Sequence, residues 1–165
     1  MDFIVALTDD NAVNRNAFLQ KIQALGNLSI AFIAKDGNEC LEKLNSLPNN
    51  KLPQVVFMDL EMPHMNGIET IGIAKSLHPD IHFIVLTVFD DDDKIFEAIK
   101  AGASGYLLKH EPAGVLHEAV INVIEFGGAP MSPAVARKSL QMMRYSVLEN
   151  SKEKQFRKKI RIKRR

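Results

Sequence analysis

The chain has 165 residues, 46% of them apolar and 25% charged, enough for one compact domain with a short appendage and unlike a disordered chain. Cys40 is the single cysteine, so no disulfide within the chain can form, and no charged start leads into an apolar stretch long enough for export or anchoring. A cytoplasmic protein without a membrane segment is therefore expected, and its net charge of +1 hides an asymmetry: residues 152–165 carry nine Lys or Arg against Glu153 alone, a balance of +8, which leaves −7 on residues 1–151.

Short runs rich in Val, Ile and Phe alternate along the body with segments whose apolar residues recur at helical spacing. The first run, residues 3–7, precedes a helical stripe through Val13, Ala17, Phe18, Ile22 and Leu25. Residues 28–34 form the second run and Leu41, Leu44 and Leu47 the stripe after it, with Cys40 on the apolar face as a small hydrophobe. A connective loop at 47–53 leads to the third run, 55–58, and a helix marked by Ile68, Ile71 and Leu77. The fourth run, 82–86, is followed by four acids at 90–93, which read as a capping and dipole device for a helix through Ile95 and Ile99. After the fifth run, 105–108, the stripe Val115, Leu116, Ala119, Val120, Val123 and Ile124 predicts a fifth helix. Ser132-Pro133 then resembles an N-cap with a first-turn proline, opening a sixth helix to about Met143. Five near-continuous apolar strands, each followed by a helix, predict a mostly parallel sheet covered on both faces.

In an open parallel sheet, ligands bind beyond the carboxyl ends of the strands. Asp9 and Asp10 follow the first run, Asp59 the third, Thr87 the fourth and Lys109 the fifth, which lines one edge with three carboxylates, a hydroxyl and an ammonium. Clustered carboxylates repel one another unless a cation lies between them, and an all-oxygen donor set favours a hard ion such as Mg²⁺. A carboxylate held there is a plausible nucleophile toward phosphorus, with Thr87 and Lys109 available to the phosphoryl oxygens. Taken one at a time these residues would more often be caps, strand residues or solvated charges; their joint placement carries the reading. The five His residues show no metal-ligand spacing.

Asp9-Asp10, Asp59-Leu60-Glu61-Met62-Pro63 with Gly67, Leu86-Thr87 and Gly105-Tyr106-Leu107-Leu108-Lys109 resemble the signature of response-regulator receiver domains over residues 1–128. The resemblance implies a flavodoxin-like doubly wound five-stranded parallel sheet of order 2-1-3-4-5, with five helices and a C-terminal helical extension. It implies that Asp59 accepts a phosphoryl group from a sensor histidine kinase, and that Asp10, Asp59 and the backbone carbonyl of Glu61 hold Mg²⁺ with support from Asp9. Thr87 and Lys109 would engage the phosphoryl group, and Tyr106 would turn inward as the fourth-helix face repacks. On this view the chain is a signalling protein that catalyses only its own phosphorylation and dephosphorylation.

Many relatives carry glycine where this chain has His64, which here reads as a tolerated exposed residue, and proline where it has His110, so a trans Lys109–His110 peptide is expected. The segments around 86–94 and 127–137 are similar to the receiver subclass that precedes a helix-turn-helix DNA-binding domain. The residues that follow are too few for such a domain, so a sequence shortened or lacking that output is expected. Residues 129–150 then read as a helical linker and 151–165 as a disordered basic tail. Homodimerisation, DNA through the absent output domain, and weak DNA contact through the tail are the partner readings beside the kinase.

Three other readings compete with this one. A Mg²⁺-dependent phosphohydrolase of the haloacid dehalogenase type needs a second Asp two residues after the nucleophile, where this chain has Glu61. A flavodoxin-like cofactor binder needs a Ser, Thr or Gly-rich phosphate loop after the first strand, where it has Asp9-Asp10-Asn11. The third is a degenerate receiver that only binds protein or nucleic acid.

Overall fold

An apolar run of four to seven residues can be buried along its whole length only where helices cover both faces of a sheet. A computed structural model describes residues 2–164 and buries β3 and nearly all of the runs in β1, β4 and β5, while the run in β2, at the sheet edge, is mostly half-buried. In chain order it has β1 (Phe3–Thr8), α1 (Ala12–Gln23), β2 (Leu28–Ala34), α2 (Gly37–Ser46), a 3-10 turn (Asn49–Lys51), β3 (Val55–Met58), α3 (Gly67–Leu77), β4 (His82–Thr87), α4 (Asp92–Ala101), β5 (Gly105–Leu108), α5 (Ala113–Phe126) and α6 (Pro133–Lys163). The strands are parallel and lie in the order β2-β1-β3-β4-β5, as the resemblance implies.

Strand alternation sorts the core into two layers. Val55, Phe57, Ile84, Leu86 and Leu107 pack with Phe18 of α1 and Leu116 and Val120 of α5. Val56, Met58, Phe83, Val85 and Tyr106 point the other way, toward Ile71 of α3 and Ile95 of α4. Tyr106 therefore belongs to the α4 side. Among the stripe residues expected to be buried, Val13 is 75% exposed, because the apolar face of α1 is carried by Phe18 and Ile22 alone.

Beyond Gly127 the structure departs from expectation. Residues 130–132 run extended along the outer edge of β5: Tyr106 N–H donates to the Pro130 carbonyl at 2.9 Å, and Ser132 N–H to the Tyr106 carbonyl at 3.1 Å. An otherwise open sheet edge is thereby paired. Only glycine fits at 105, since a Cβ there would stand 2.6 Å from the Pro130 carbonyl oxygen. The Ser132 hydroxyl, read as a helix cap, instead accepts from Leu108 N–H at 2.9 Å.

The sixth helix does not stop near Met143 but continues to Lys163, so residues 151–163, expected to be disordered, are helical. Its start is docked: Val135 is fully buried in one cluster with Tyr106, Ile95 and Ala98, and Lys138 Nζ donates to the Asp90 carbonyl at 2.8 Å. The charge run that suggested a solvated coil holds mostly Lys, Arg, Glu and Gln, which are good helix formers. Among the described residues, no helix is long and apolar enough to cross a membrane.

Candidate functional site

Asp9, Asp59 and Lys109 each lie one step past the end of a strand, with their backbones still in the ladder, while Thr87 is the last residue of β4 and Asp10 follows Asp9. Asp9 N–H donates to the Ala34 carbonyl at 3.0 Å, Asp59 N–H to the Thr8 carbonyl at 3.0 Å and Lys109 N–H to the Thr87 carbonyl at 2.9 Å. The sheet thus fixes the Cα positions from which the side chains diverge, and the site needs no ordered loop to assemble it. Gly67, at the start of α3, lets that helix approach the end of β3: a Cβ there would stand 2.1 Å from the Asp59 carbonyl oxygen.

Carboxylate oxygens of Asp9, Asp10 and Asp59 lie within 4.8 Å of one another; Asp9 and Asp59 are buried and Asp10 is exposed. Lys109 Nζ sits 2.7 Å from Asp9 Oδ2 and 3.3 Å from Asp59 Oδ2. The other oxygen of each buried acid is also engaged, Asp9 Oδ1 by Asn11 N–H and Asp59 Oδ1 by Leu60 N–H, both at 2.9 Å. Three ionised carboxylates and one ammonium leave a formal balance of −2, which suits a divalent cation. The donor set is all oxygen, as a hard ion requires. Burial, and then the negative Asp9, push the Asp59 carboxyl up to about 6, against the opposing pull of Lys109 and the Leu60 N–H. A cation would relieve that cost.

Thr87 is fully buried, and its hydroxyl accepts from Phe89 N–H at 3.4 Å, with no bond to the carboxylates among the described residues. Tyr106 is fully buried as well, its hydroxyl donating to the Phe89 carbonyl at 2.6 Å. Burial and the nearby Asp91, Asp90 and Asp59 hold that phenol above the ordinary tyrosine range. The ring points inward, and Phe89 joins it to the loop after Thr87. Glu61 is exposed and its side chain pairs with Lys94 of α4.

His64 takes a left-handed backbone, φ 68°, so it adopts the conformation glycine favours rather than being merely an exposed tolerated side chain. The Lys109–His110 peptide is trans, as expected. In the acidic run, the Asp91 side chain makes no cap bond, which corrects the capping half of that reading; Asp92 and Asp93 do lie in the first turn of α4, where the helix dipole favours them. Cys40 is buried, and its thiol is pushed up to about 11 by that burial.

Spacing gave no sign of three contacts that position the site. Arg15 donates to the Asp9 carbonyl at 3.0 Å. Lys21 Nζ donates to the carbonyls of Lys109 and Glu111, at 3.4 and 3.0 Å, pinning the turn after β5. Lys138 ties α6 to the loop after β4. In sequence each is a basic residue on a polar helix face.

A family model described as the response regulator receiver domain matches residues 5–121. The transcriptional regulatory protein LnrK of Bacillus subtilis is 34% identical over 136 residues, 82% of this chain and 60% of that protein. DegU of Brevibacillus brevis is 32% identical over 152 residues, 90% of this chain and 61% of that protein. The chain therefore spans about three fifths of these curated relatives. Among solved structures, a LuxR-family two-component response regulator from Aurantimonas sp. SI85-9A1 superposes with a TM-score of 0.77 at 23% identity, covering 87% of this chain and 99% of that one. The response regulator ChrA of a heme-sensing two-component system is 29% identical with a TM-score of 0.65, covering 86% of this chain and 65% of that one.

Proposed function

The chain belongs to the response-regulator receiver family, and on that footing we propose that it is a phosphorylation-dependent switch in two-component signalling, with Asp59 as phosphoacceptor and its output in transcription regulation. One observation carries the reading: a buried carboxylate at the end of the central strand β3, grouped with Asp9 and Asp10 and 3.3 Å from an ammonium. The haloacid dehalogenase reading loses support, since the place of its second acid holds Glu61, whose side chain is paired with Lys94.

In this reading an Asp59 carboxylate oxygen attacks phosphorus, a P–O bond forms, and the P–N bond to the kinase histidine breaks with its electron pair returning to the imidazole. Asp10, Asp59 and the Glu61 backbone carbonyl would hold Mg²⁺, with Asp9 in support, and the ion would supply charge neutralisation for the incoming phosphoryl group. Lys109 passes from its carboxylate partners to a phosphoryl oxygen, and the Thr87 hydroxyl turns from Phe89 N–H to another.

Two charge-assisted hydrogen bonds at about 1.5–3 kcal/mol each give about 3–6 kcal/mol. Reversing a 1:99 population takes about 5.5 kcal/mol, so the shift is large and within reach of a partner's help. Phosphorylation would act on the Thr87–Phe89–Asp90 loop, which holds the Tyr106 hydroxyl and the Lys138 ammonium, and so on the seat of α6.

Intact mass after incubation with Mg²⁺ and acetyl phosphate tests the chemistry. One labile phosphoryl adduct, lost in Asp59→Asn and in EDTA, is the expected result. No adduct with acetyl phosphate or with histidine kinases would leave a receiver fold that only binds.

A further inference from the structure

We propose that α6 pairs with α6 of a second copy of this chain, antiparallel, through the face that carries Leu140, Met143 and Val147. At 31 residues and about 1.5 Å per residue, α6 is about 46 Å long, yet Val135 near its start is its one buried residue. A helix without tertiary packing rests on propensity alone and is marginal in water, so the outer two thirds of α6 gains most from a partner. Leu140, Met143, Val147 and Leu148 are each between 56% and 65% exposed. Ala136, Leu140, Met143 and Val147 recur at alternating spacings of four and three, the seam that one helix presents to another.

Charge selects both the occupant and the orientation. Residues 152–165 carry +8 and residues 1–151 carry −7, so the basic end of α6 finds its complement on the body of another copy. A parallel pair would set the two +8 ends side by side and Arg137 and Arg144 against their own counterparts. An antiparallel pair, with its two-fold axis midway between Leu140 and Val147, sends each basic end back over the other copy's acidic body. Leu140 of one copy then meets Val147 of the other, and Arg144 meets Met143, along which its aliphatic stem can lie.

The pairing needs no phosphoryl group, so unphosphorylated protein tests it apart from the Asp59 chemistry. Leu140→Cys and Val147→Cys are made as separate variants and treated with a short bis-maleimide, singly and mixed; both positions are exposed, and native Cys40 is fully buried. Cross-linked dimer is expected in the mixture and not in either variant alone. Sedimentation should show wild-type dimer weakening as salt rises, and Leu140→Glu with Val147→Glu should raise the dimer Kd by at least about 100-fold. Cross-links within each variant alone would mean parallel pairing and overturn the proposal. So would a monomer at all concentrations, or a monomer whose basic helix binds duplex DNA instead.

Discussion

Asp59→Asn should make the metal-free protein more stable, although it removes the proposed phosphoacceptor. The Asp59 carboxyl is raised from 3.8 to about 6, chiefly by burial and then by Asp9. At about 1.36 kcal/mol per pH unit that gap amounts to about 3 kcal/mol, and solvent at the open edge of the site reduces it to about 1–2 kcal/mol. The sign follows from proton binding: the folded state holds this proton more tightly than the unfolded one, so stability is full below pH 3.8, falls as pH rises through about 6, and is flat above. At pH 7.5 the ionised acid is thus a net cost, which Asn does not incur, and Lys109 keeps Asp9 at 2.7 Å as its partner. Urea unfolding in EDTA should give a midpoint for Asp59→Asn above wild type by the equivalent of about 1–2 kcal/mol at pH 7.5, shrinking to about a third of that at pH 4.5. Mg²⁺ at ten times its Kd should stabilise wild type by about 1.4 kcal/mol and close much of the gap. A variant less stable than wild type at pH 7.5 in EDTA, or a gap of constant size at both pH values, would refute the view that Asp59 is held at a cost its cation offsets.

His64→Gly should leave stability unchanged or raise it by up to about 1 kcal/mol, whereas His64→Val should lower it by more than about 1 kcal/mol, because φ 68° suits glycine and opposes a β-branched side chain; thermal melts compare the two. Gly67→Ala should destabilise by about 2–4 kcal/mol and cut the phosphorylation rate, since the new Cβ would stand 2.1 Å from the Asp59 carbonyl oxygen; equal melting points for the variant and wild type would contradict that crowding. Lys21→Met should slow acetyl-phosphate turnover while barely changing Mg²⁺ affinity, because it frees the turn that follows Lys109 and leaves the carboxylates in place; fluorescence titration and mass kinetics separate these effects.

The chemistry-bearing edge was legible because sheet geometry converts a one-dimensional rule, the residue after each apolar run, into a shared location. Asp9, Asp59, Thr87 and Lys109 are fixed by strand ends, and strand ends are the sharpest feature of the pattern. Side-chain pairings between elements carry no such rule. Lys21 reaching the Lys109 and Glu111 carbonyls spans about ninety residues of sequence, and Ser132 bonding Leu108 rather than capping α6 depends on where the edge segment docks. Tyr106 points inward because its hydroxyl has the Phe89 carbonyl as partner and its ring completes the α4 layer, contacts that its place in β5 does not announce. The sixth helix outruns its apolar pattern because apolar periodicity fades after Leu148, while helix propensity alone continues to the end.

The two layers of the core are unequal as routes for a signal. On the α1–α5 side, Phe57 packs at a tilt against Phe18 with ring centroids 5.3 Å apart, in a cluster that among the described residues includes none of α6. The opposite layer is continuous from Met58, one residue before Asp59, through Val85 and Tyr106 to Ile95 and Val135 of α6. The same side carries the polar chain from Thr87 through Phe89 and Asp90 to Lys138. A change of charge at Asp59 thus has a packed path and a hydrogen-bonded path to one helix, both on one face of the sheet. Close-packed layers shift as units rather than deform smoothly, so α6 is the element whose seat such a change would alter first.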